Sequence, residues 1–135
     1  MELKRLFQEA LGLEGPWRVT KIEFSPEEKR IDITIDFPAG SEFTCPTCGA
    51  SRAKAYDTRW EDWRHLDFFQ YPAYLHARVP RVECPKGCGV KKVAVPWARK
   101  GSGFTLLFEA LIMALVREMP VAAVARLIGE HDTKL

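Results

Sequence analysis

The residues best suited to chemistry in this sequence are its four cysteines, Cys45, Cys48, Cys84 and Cys88. They form a Cys-x2-Cys pair and a Cys-x3-Cys pair, separated by 35 residues. Two close pairs of thiolates suit tetrahedral zinc, because each pair can point both sulfurs at one centre from a tight turn. Four protein ligands leave no open position for water, so we predict a structural zinc ion.

Proline and glycine flank the two cysteine pairs in the same order. Pro46 and Pro85 follow the first cysteine of each pair, and Gly49 and Gly89 follow the second. Proline presets the backbone for a turn, and glycine tolerates the left-handed conformation that frees amide groups to hydrogen-bond to sulfur. The repeated pattern predicts two similar metal-binding turns.

Other interpretations of the cysteines stay open at this point. The even number fits two disulfides, although nothing in the sequence indicates secretion. A rubredoxin-like iron site uses similar ligands. His65 and His76 lie between the pairs and could replace a cysteine, but their places in predicted strands favour hydrogen bonds in the sheet or at the surface.

Length and composition limit the class of protein. The chain has 135 residues, of which 47% are hydrophobic and 28% are charged. These values describe a folded domain that is too short for a large enzyme. There is no run of 18 apolar residues, and the acidic, amphipathic start is unlike a signal peptide. We expect a cytoplasmic protein with reduced thiols and no membrane partner.

The net charge of +2 conceals an uneven distribution. Residues 1–40 carry a net charge of −2, residues 41–100 carry +5 and residues 101–135 carry −1. Seven basic residues within 23 positions are candidates for contacts with DNA phosphates: Arg78, Arg81, Lys86, Lys91, Lys92, Arg99 and Lys100. The competing interpretation is an ordinary solvated surface.

The spacing of apolar residues predicts a helix over residues 3–11 and then a hairpin with strands at 17–24 and 31–37. Further strands are predicted at 63–69, 74–82 and 91–95. We expect the aromatic residues of this region to lie in the core rather than to stack on bases: Trp60, Trp63, Phe68, Tyr71 and Tyr74.

Helical periodicity follows Trp97. It predicts a helix from Phe104 to Met119, entered through Ser102 or Gly103, and a second helix over 121–128 that ends at Gly129. The spacing of Val124, Ala125, Ile128, Gly129 and Leu135 is that of a helix-turn-helix whose third helix starts at 132–135. An ordinary helical hairpin packed on the sheet explains the segment equally well.

These elements predict an α+β protein of three parts. Residues 1–42 form a helix and a β-hairpin, residues 43–100 form a zinc-ribbon-like antiparallel β module with four cysteines, and residues 101–135 begin a helix-turn-helix.

Several of these segments recur together in a known family. They are Cys45-Pro-Thr-Cys48-Gly49, Trp63-Arg64-His65-Leu66-Asp67, Ala77-Arg78-Val79-Pro80-Arg81-Val82-Glu83-Cys84-Pro85, Val95-Pro96-Trp97-Ala98-Arg99, Phe104-Thr105 and Val124-Ala125-Arg126-Leu127-Ile128. From about residue 43 onward, the sequence resembles the amino-terminal part of insertion-sequence transposases of the ISL3 family.

The resemblance implies a DNA-binding region that grips the terminal inverted repeats of a transposon, in a bacterial cytoplasm and at the nucleoid. In that family a later ribonuclease-H-like domain holds divalent metal with three acidic residues. That domain has no counterpart here, so we expect no catalytic residue in this chain. The alternative hypothesis is a protein-interaction module, in which the zinc ribbon and helices mediate self-association or form a regulatory fragment.

Overall fold

The computed structural model describes residues 3–68 and 70–130. It contains three helices and six strands within these ranges, which in chain order are α1 (Leu3–Ala10), β1 (Arg18–Ser25), β2 (Arg30–Asp36), β3 (Glu42–Phe43), β4 (Ala53–Phe68), β5 (Tyr71–Glu83), β6 (Val90–Lys92), α2 (Leu106–Val116) and α3 (Val121–Ile128). None of the helices in the described ranges has the length and apolar character that crossing a membrane requires.

The strands form one mixed sheet in the order β1-β2-β5-β4-β3, and β6 pairs with the end of β5. Most pairings are antiparallel, but β2 runs parallel to β5, with Ile31 opposite Ala73. The predicted α+β class is therefore confirmed in its coarse form, as are the first helix and the hairpin. The predicted zinc-ribbon module is joined to the hairpin through a parallel pairing that the sequence pattern did not indicate.

The core lies on one face of the sheet. Alternate residues of β2 point into it, so that Ile33 and Ile35 are fully buried, as is Leu75 of β5. Phe7 of α1 packs on the same cluster. Trp97 contacts the rings of Trp17 and Trp63 edge-on, with centroids 5.0 and 5.3 Å away. Burial of each such side chain stabilises the fold by about 1.5–3 kcal/mol. Because this core draws on both sides of residue 42, the division into 1–42, 43–100 and 101–135 stays a prediction.

Strand β4 begins at Ala53, ten residues earlier than the predicted strand at 63–69. After the buried Ala53, the first half of the strand is exposed on both faces, and its backbone is held by pairing with β5 rather than by burial. A strand of this kind has no alternation of apolar and polar residues, which is why the pattern missed it. The expectation that Trp60 lies in the core is wrong, since 56% of the residue is exposed, whereas Trp63 is buried.

Helix α2 begins after Thr105, so the predicted entry at Ser102 or Gly103 is wrong. The preceding segment is used instead to pair with the edge of β4. Arg64 N–H donates to Gly103 O, and Thr105 N–H donates to Arg64 O, both at 2.8 Å. The Thr105 hydroxyl then accepts from Phe108 N–H at 3.2 Å and caps the helix. The helix ends at Val116, before Met119.

Helices α2 and α3 pack together on β4 through Phe108, Ile112, Val124 and Ile128, with Leu66 beneath them. Arg64, only 5% exposed, fastens this helix pair to the sheet. Its Nη2 donates to Ile128 O, and its Nη1 donates to Glu130 Oε1, both at 3.0 Å. The predicted third helix at 132–135 lies outside the described residues.

The cap of α2 can be tested by substitution at Thr105. Thr105→Val keeps the volume but removes the hydroxyl that accepts from Phe108 N–H, so we expect a loss of about 1–2 kcal/mol in the free energy of unfolding. Thr105→Ser keeps the hydroxyl and should lose much less. Urea unfolding of the three proteins measures both differences, and equal stability of the Val and Ser variants would contradict the assignment.

His65 predicts a dependence of stability on pH. Its Nδ1 lies 2.7 Å from Thr105 Oγ1, and burial lowers the pKa of His65 from 6.5 to about 4. The unfolded chain therefore takes up this proton at a higher pH than the folded chain. The free energy of unfolding is therefore unaffected by this group above pH 6.5. It decreases by up to about 3 kcal/mol as the pH falls toward 4.

His65→Asn retains a hydrogen-bonding group but does not titrate. The stability difference between the wild type and this variant should shrink as the pH falls from 7 to 5, and taking the difference cancels effects of acid on other groups. His76→Asn is the matched control, since the pKa of His76 shifts in the opposite direction. A His65 difference that is constant with pH would contradict the prediction.

Candidate metal centre and nucleic-acid interface

The two cysteine pairs lie on two turns of matching construction, one before β4 and one between β5 and β6. Cys45 N–H donates to Ala50 O, and Cys84 N–H donates to Gly89 O, each at 2.9 Å and each five residues along the chain. Gly49 and Gly89 both have positive φ, as the repeated sequence pattern predicted. The long pairing of β4 with β5 brings the two turns together.

The four cysteine sulfurs lie within 4.8 Å of one another. Cys48 Sγ and Cys84 Sγ are 3.4 Å apart, which is not a disulfide distance, and all four cysteines are free thiols. Zinc bound at about 2.3 Å from four tetrahedral sulfurs holds them about 3.8 Å apart. The cluster therefore fits structural zinc, with Cys45 and Cys84 buried and Cys48 exposed.

The pKa values of two of the thiols are shifted in opposite directions. Backbone N–H groups of Cys88 and Lys86 donate to Cys84 and hold the pKa of its thiol at about 6 despite burial. Hydrogen bonds with Cys48 and Cys84 raise the pKa of the Cys88 thiol to about 12. Four sulfurs this close cannot all be thiolates by themselves, and a divalent cation removes that restriction.

The two histidines lie outside this cluster, as expected. His65 is bonded to Thr105, and His76 bridges two carboxylates, with Nε2 2.6 Å from Asp32 Oδ1 and Nδ1 2.5 Å from Asp62 Oδ1. Burial by itself would lower the pKa of His76, but the bonds to Asp32 and Asp62 outweigh it and raise the pKa. Both histidines tie strands or helices together.

The seven basic residues proposed to contact DNA fall into two groups in the structure. Four form ion pairs: Arg78 with Asp36, Arg81 with Asp57, Lys92 with Glu61 and Arg99 with Glu109. The side chains of the other three, Lys86, Lys91 and Lys100, have no carboxylate partner among residues 3–68 and 70–130. The sequence did not predict these ion pairs, because the carboxylate partners lie on elements distant in sequence: β2, the unpredicted half of β4 and α2.

Removal of the metal tests the centre. We expect one zinc per chain by elemental analysis, and we expect chelation or Cys45→Ser to lower the melting temperature by at least about 10 °C, equivalent to several kcal/mol. Because the main core contains none of the cysteines, we expect the loss of structure to be greatest around the cysteine turns, with faster hydrogen exchange in residues 43–55 and 82–92.

Ser51→Ala, at an exposed position beside the same turn, is the control and should leave the zinc content and the melting temperature unchanged. A melting temperature that does not change on chelation would contradict a structural role for the metal. Visible absorbance of the purified protein would instead indicate iron.

Two family models match this chain. Residues 41–93 match the zinc-finger of transposases IS204/IS1001/IS1096/IS1165, and residues 93–135 match the helix-turn-helix domain of transposase family ISL3. The first range contains the four-cysteine cluster together with β4 and β5. The second contains α2 and α3. No solved structure matches the chain significantly.

Two curated relatives are 32% identical to the chain over 130 residues. Both carry the name transposase for insertion sequence element IS1557, one from Mycobacterium tuberculosis strain CDC 1551 / Oshkosh and one from strain ATCC 25618 / H37Rv. The matches cover 92% of this chain but only 29% of each relative. The two matched segments follow each other along the chain, and the first contains the four-cysteine cluster, so the chain is similar to the amino-terminal zinc-ribbon and helix-turn-helix region of transposases of the ISL3 family.

Proposed function

We propose that this chain binds the DNA ends of a transposon as the amino-terminal region of a transposase, and that its own residues perform binding rather than catalysis. The observation that carries the proposal is that both segments matched by the family models are attached to the same pair of strands, β4 and β5. The cysteine cluster closes one end of the β4–β5 pair, and the helix pair α2–α3 is fastened near the other end by Arg64. Such a frame fixes the spacing of two contact regions.

Zinc has a structural part in this proposal. Cys45, Cys48, Cys84 and Cys88 are the four ligands, and they join the β3–β4 segment to the β5–β6 segment. The strands between them carry the basic surface, so the metal would hold that surface in shape without touching DNA. With four thiolates and zinc the site contributes a charge of about −2, which still leaves residues 41–100 positive.

The phosphate contacts are assigned first to Lys86, Lys91 and Lys100, whose ammonium groups have no carboxylate partner in the described part of the chain. The other four basic residues are weaker candidates for phosphate contacts, because each would have to exchange or share its carboxylate partner to reach a phosphate. They are Arg78, Arg81, Lys92 and Arg99. The location that follows is the bacterial cytoplasm, at nucleoid DNA.

A second candidate function rests on the apolar side chains that α2 and α3 expose. Leu107 and Met113 are 49% and 57% exposed, and Leu127 of α3 is 65% exposed. A surface of this kind suits a second copy of the chain or another part of a transposase. This interaction-module alternative predicts concentration-dependent self-association that does not require DNA.

The DNA-binding proposal is tested by titrating the zinc-loaded chain with a duplex carrying the ends of its own mobile element, against a scrambled duplex. The affinity should be higher for the end sequence and should fall steeply between about 50 and about 200 mM salt. Substituting Gln for Lys86, Lys91 and Lys100 together should weaken binding to both duplexes and reduce the salt slope by up to about 3.

The matched control substitutes Gln for Lys4, Lys21 and Lys29, which removes the same charge from the first segment. It should leave the slope almost unchanged. Equal weakening by both triple variants would reduce the result to net charge and contradict the assigned contacts. Loss of self-association without any loss of DNA binding after Leu107→Ser would support the interaction-module function as a separate property.

A further inference from the structure

The exposed half of β4 presents a tryptophan that none of the functions above uses. Trp60 is 56% exposed, whereas Trp17, Trp63 and Trp97 are each 5% exposed or less. A large aromatic side chain on a paired strand gains little by facing water, and its neighbours on both sides, Arg59 and Glu61, are charged. We propose that Trp60 is a DNA-contacting residue that inserts into a groove of the duplex held by the helix pair; this proposal rests on the proposed DNA-binding function.

The register of the sheet places Trp60 on the same face as the helix pair. Pairing between β4 and β5 is regular from Thr58 to His65, with Trp60 opposite Arg78 and Arg64 opposite Tyr74. Side chains two or four residues apart on a strand share a face, so Trp60 and Arg64 lie on one side of the sheet. On that side Arg64 contacts α2 through Phe108 and bonds to Ile128 at the end of α3.

The distance between these two positions suits one duplex. Four residues of strand span about 13 Å, which is less than half of a turn of B-DNA at about 34 Å. One duplex lying along β4 would therefore span the positions of Trp60 and of the Arg64 contact with the helix pair. Aromatic and apolar side chains that meet a duplex in this way contact sugars or enter between base steps.

The charge around Trp60 favours a polyanion over an apolar protein surface. Residues 52–61 and 78–92, the two strands of this ribbon and their turns, carry eight basic and three acidic residues. Carboxylates on the face of Trp60 are already engaged, Asp36 by Arg78 and Asp62 by His76. Arg59, next to Trp60, has no carboxylate partner within the described residues. Nucleic acid is the partner that these charges complement.

Tryptophan fluorescence tests the contact directly, because the exposed indole is the one that acrylamide reaches. Addition of a short mixed-sequence duplex at low salt should reduce acrylamide quenching of the zinc-loaded chain several-fold. Trp60→Phe should keep the affinity within about threefold but abolish this protection. Trp60→Ala should weaken binding about tenfold at every salt concentration, with the salt slope unchanged, since no phosphate contact is lost.

Phe24→Ala is the control, because Phe24 is similarly exposed (50%) on β1, outside the ribbon. It should leave the affinity for DNA within about twofold. If bound DNA leaves Trp60 open to acrylamide, or if Trp60→Ala binds as the wild type does, the proposal is overturned. If the lysine variants still weaken binding in that case, DNA binding itself stands. A Trp60→Ala variant that changes sedimentation but not DNA affinity would assign the residue to a protein contact and overturn the proposal as well.

Discussion

The backbone pairing of β4 with β5 holds this protein together. At one end it brings the two cysteine turns within reach of a single ion, and at the other it carries the Arg64 backbone groups that position the start of α2. In the middle, β5 also accepts β2, and with it the apolar residues of the hairpin. Neither the metal cluster nor the helix pair would have a fixed place without these two strands.

Burial and polar pairing divide the two faces of the sheet. The core face is filled by apolar side chains, while the other face is tied by charged groups that hold neighbouring strands, such as His76 between Asp32 and Asp62. The buried Arg64 continues this pattern into the helices. The helix pair is thus fastened to the sheet by a charged group as well as by its apolar cluster, and its docking responds to electrostatic changes as the main core does not.

The cysteine site could be predicted from the sequence, because four residues of one type, flanked by proline and glycine, form a pattern that can be recognised without knowledge of the fold. The hairpin and the helices followed from periodicity for a similar reason. The predictions were wrong where backbone pairing, rather than a side-chain pattern, determines the structure. The first half of β4 has no alternation of apolar and polar residues, and Gly103 and Thr105 hydrogen-bond to the edge of β4 instead of starting a helix. The partners of Arg78 and Lys92 lie on elements distant in sequence, and no local pattern records them.

The parallel pairing of β2 with β5 has a consequence for the order in which the chain folds. Ile31 lies opposite Ala73, so this contact closes a loop of about forty residues that includes the first cysteine turn. The β4–β5 hairpin closes through neighbouring residues, and local contacts form faster than distant ones because less chain entropy is lost. We therefore expect the β4–β5 pairing to form first and the β2–β5 pairing, which closes across the first pair of thiols, to complete the core afterwards.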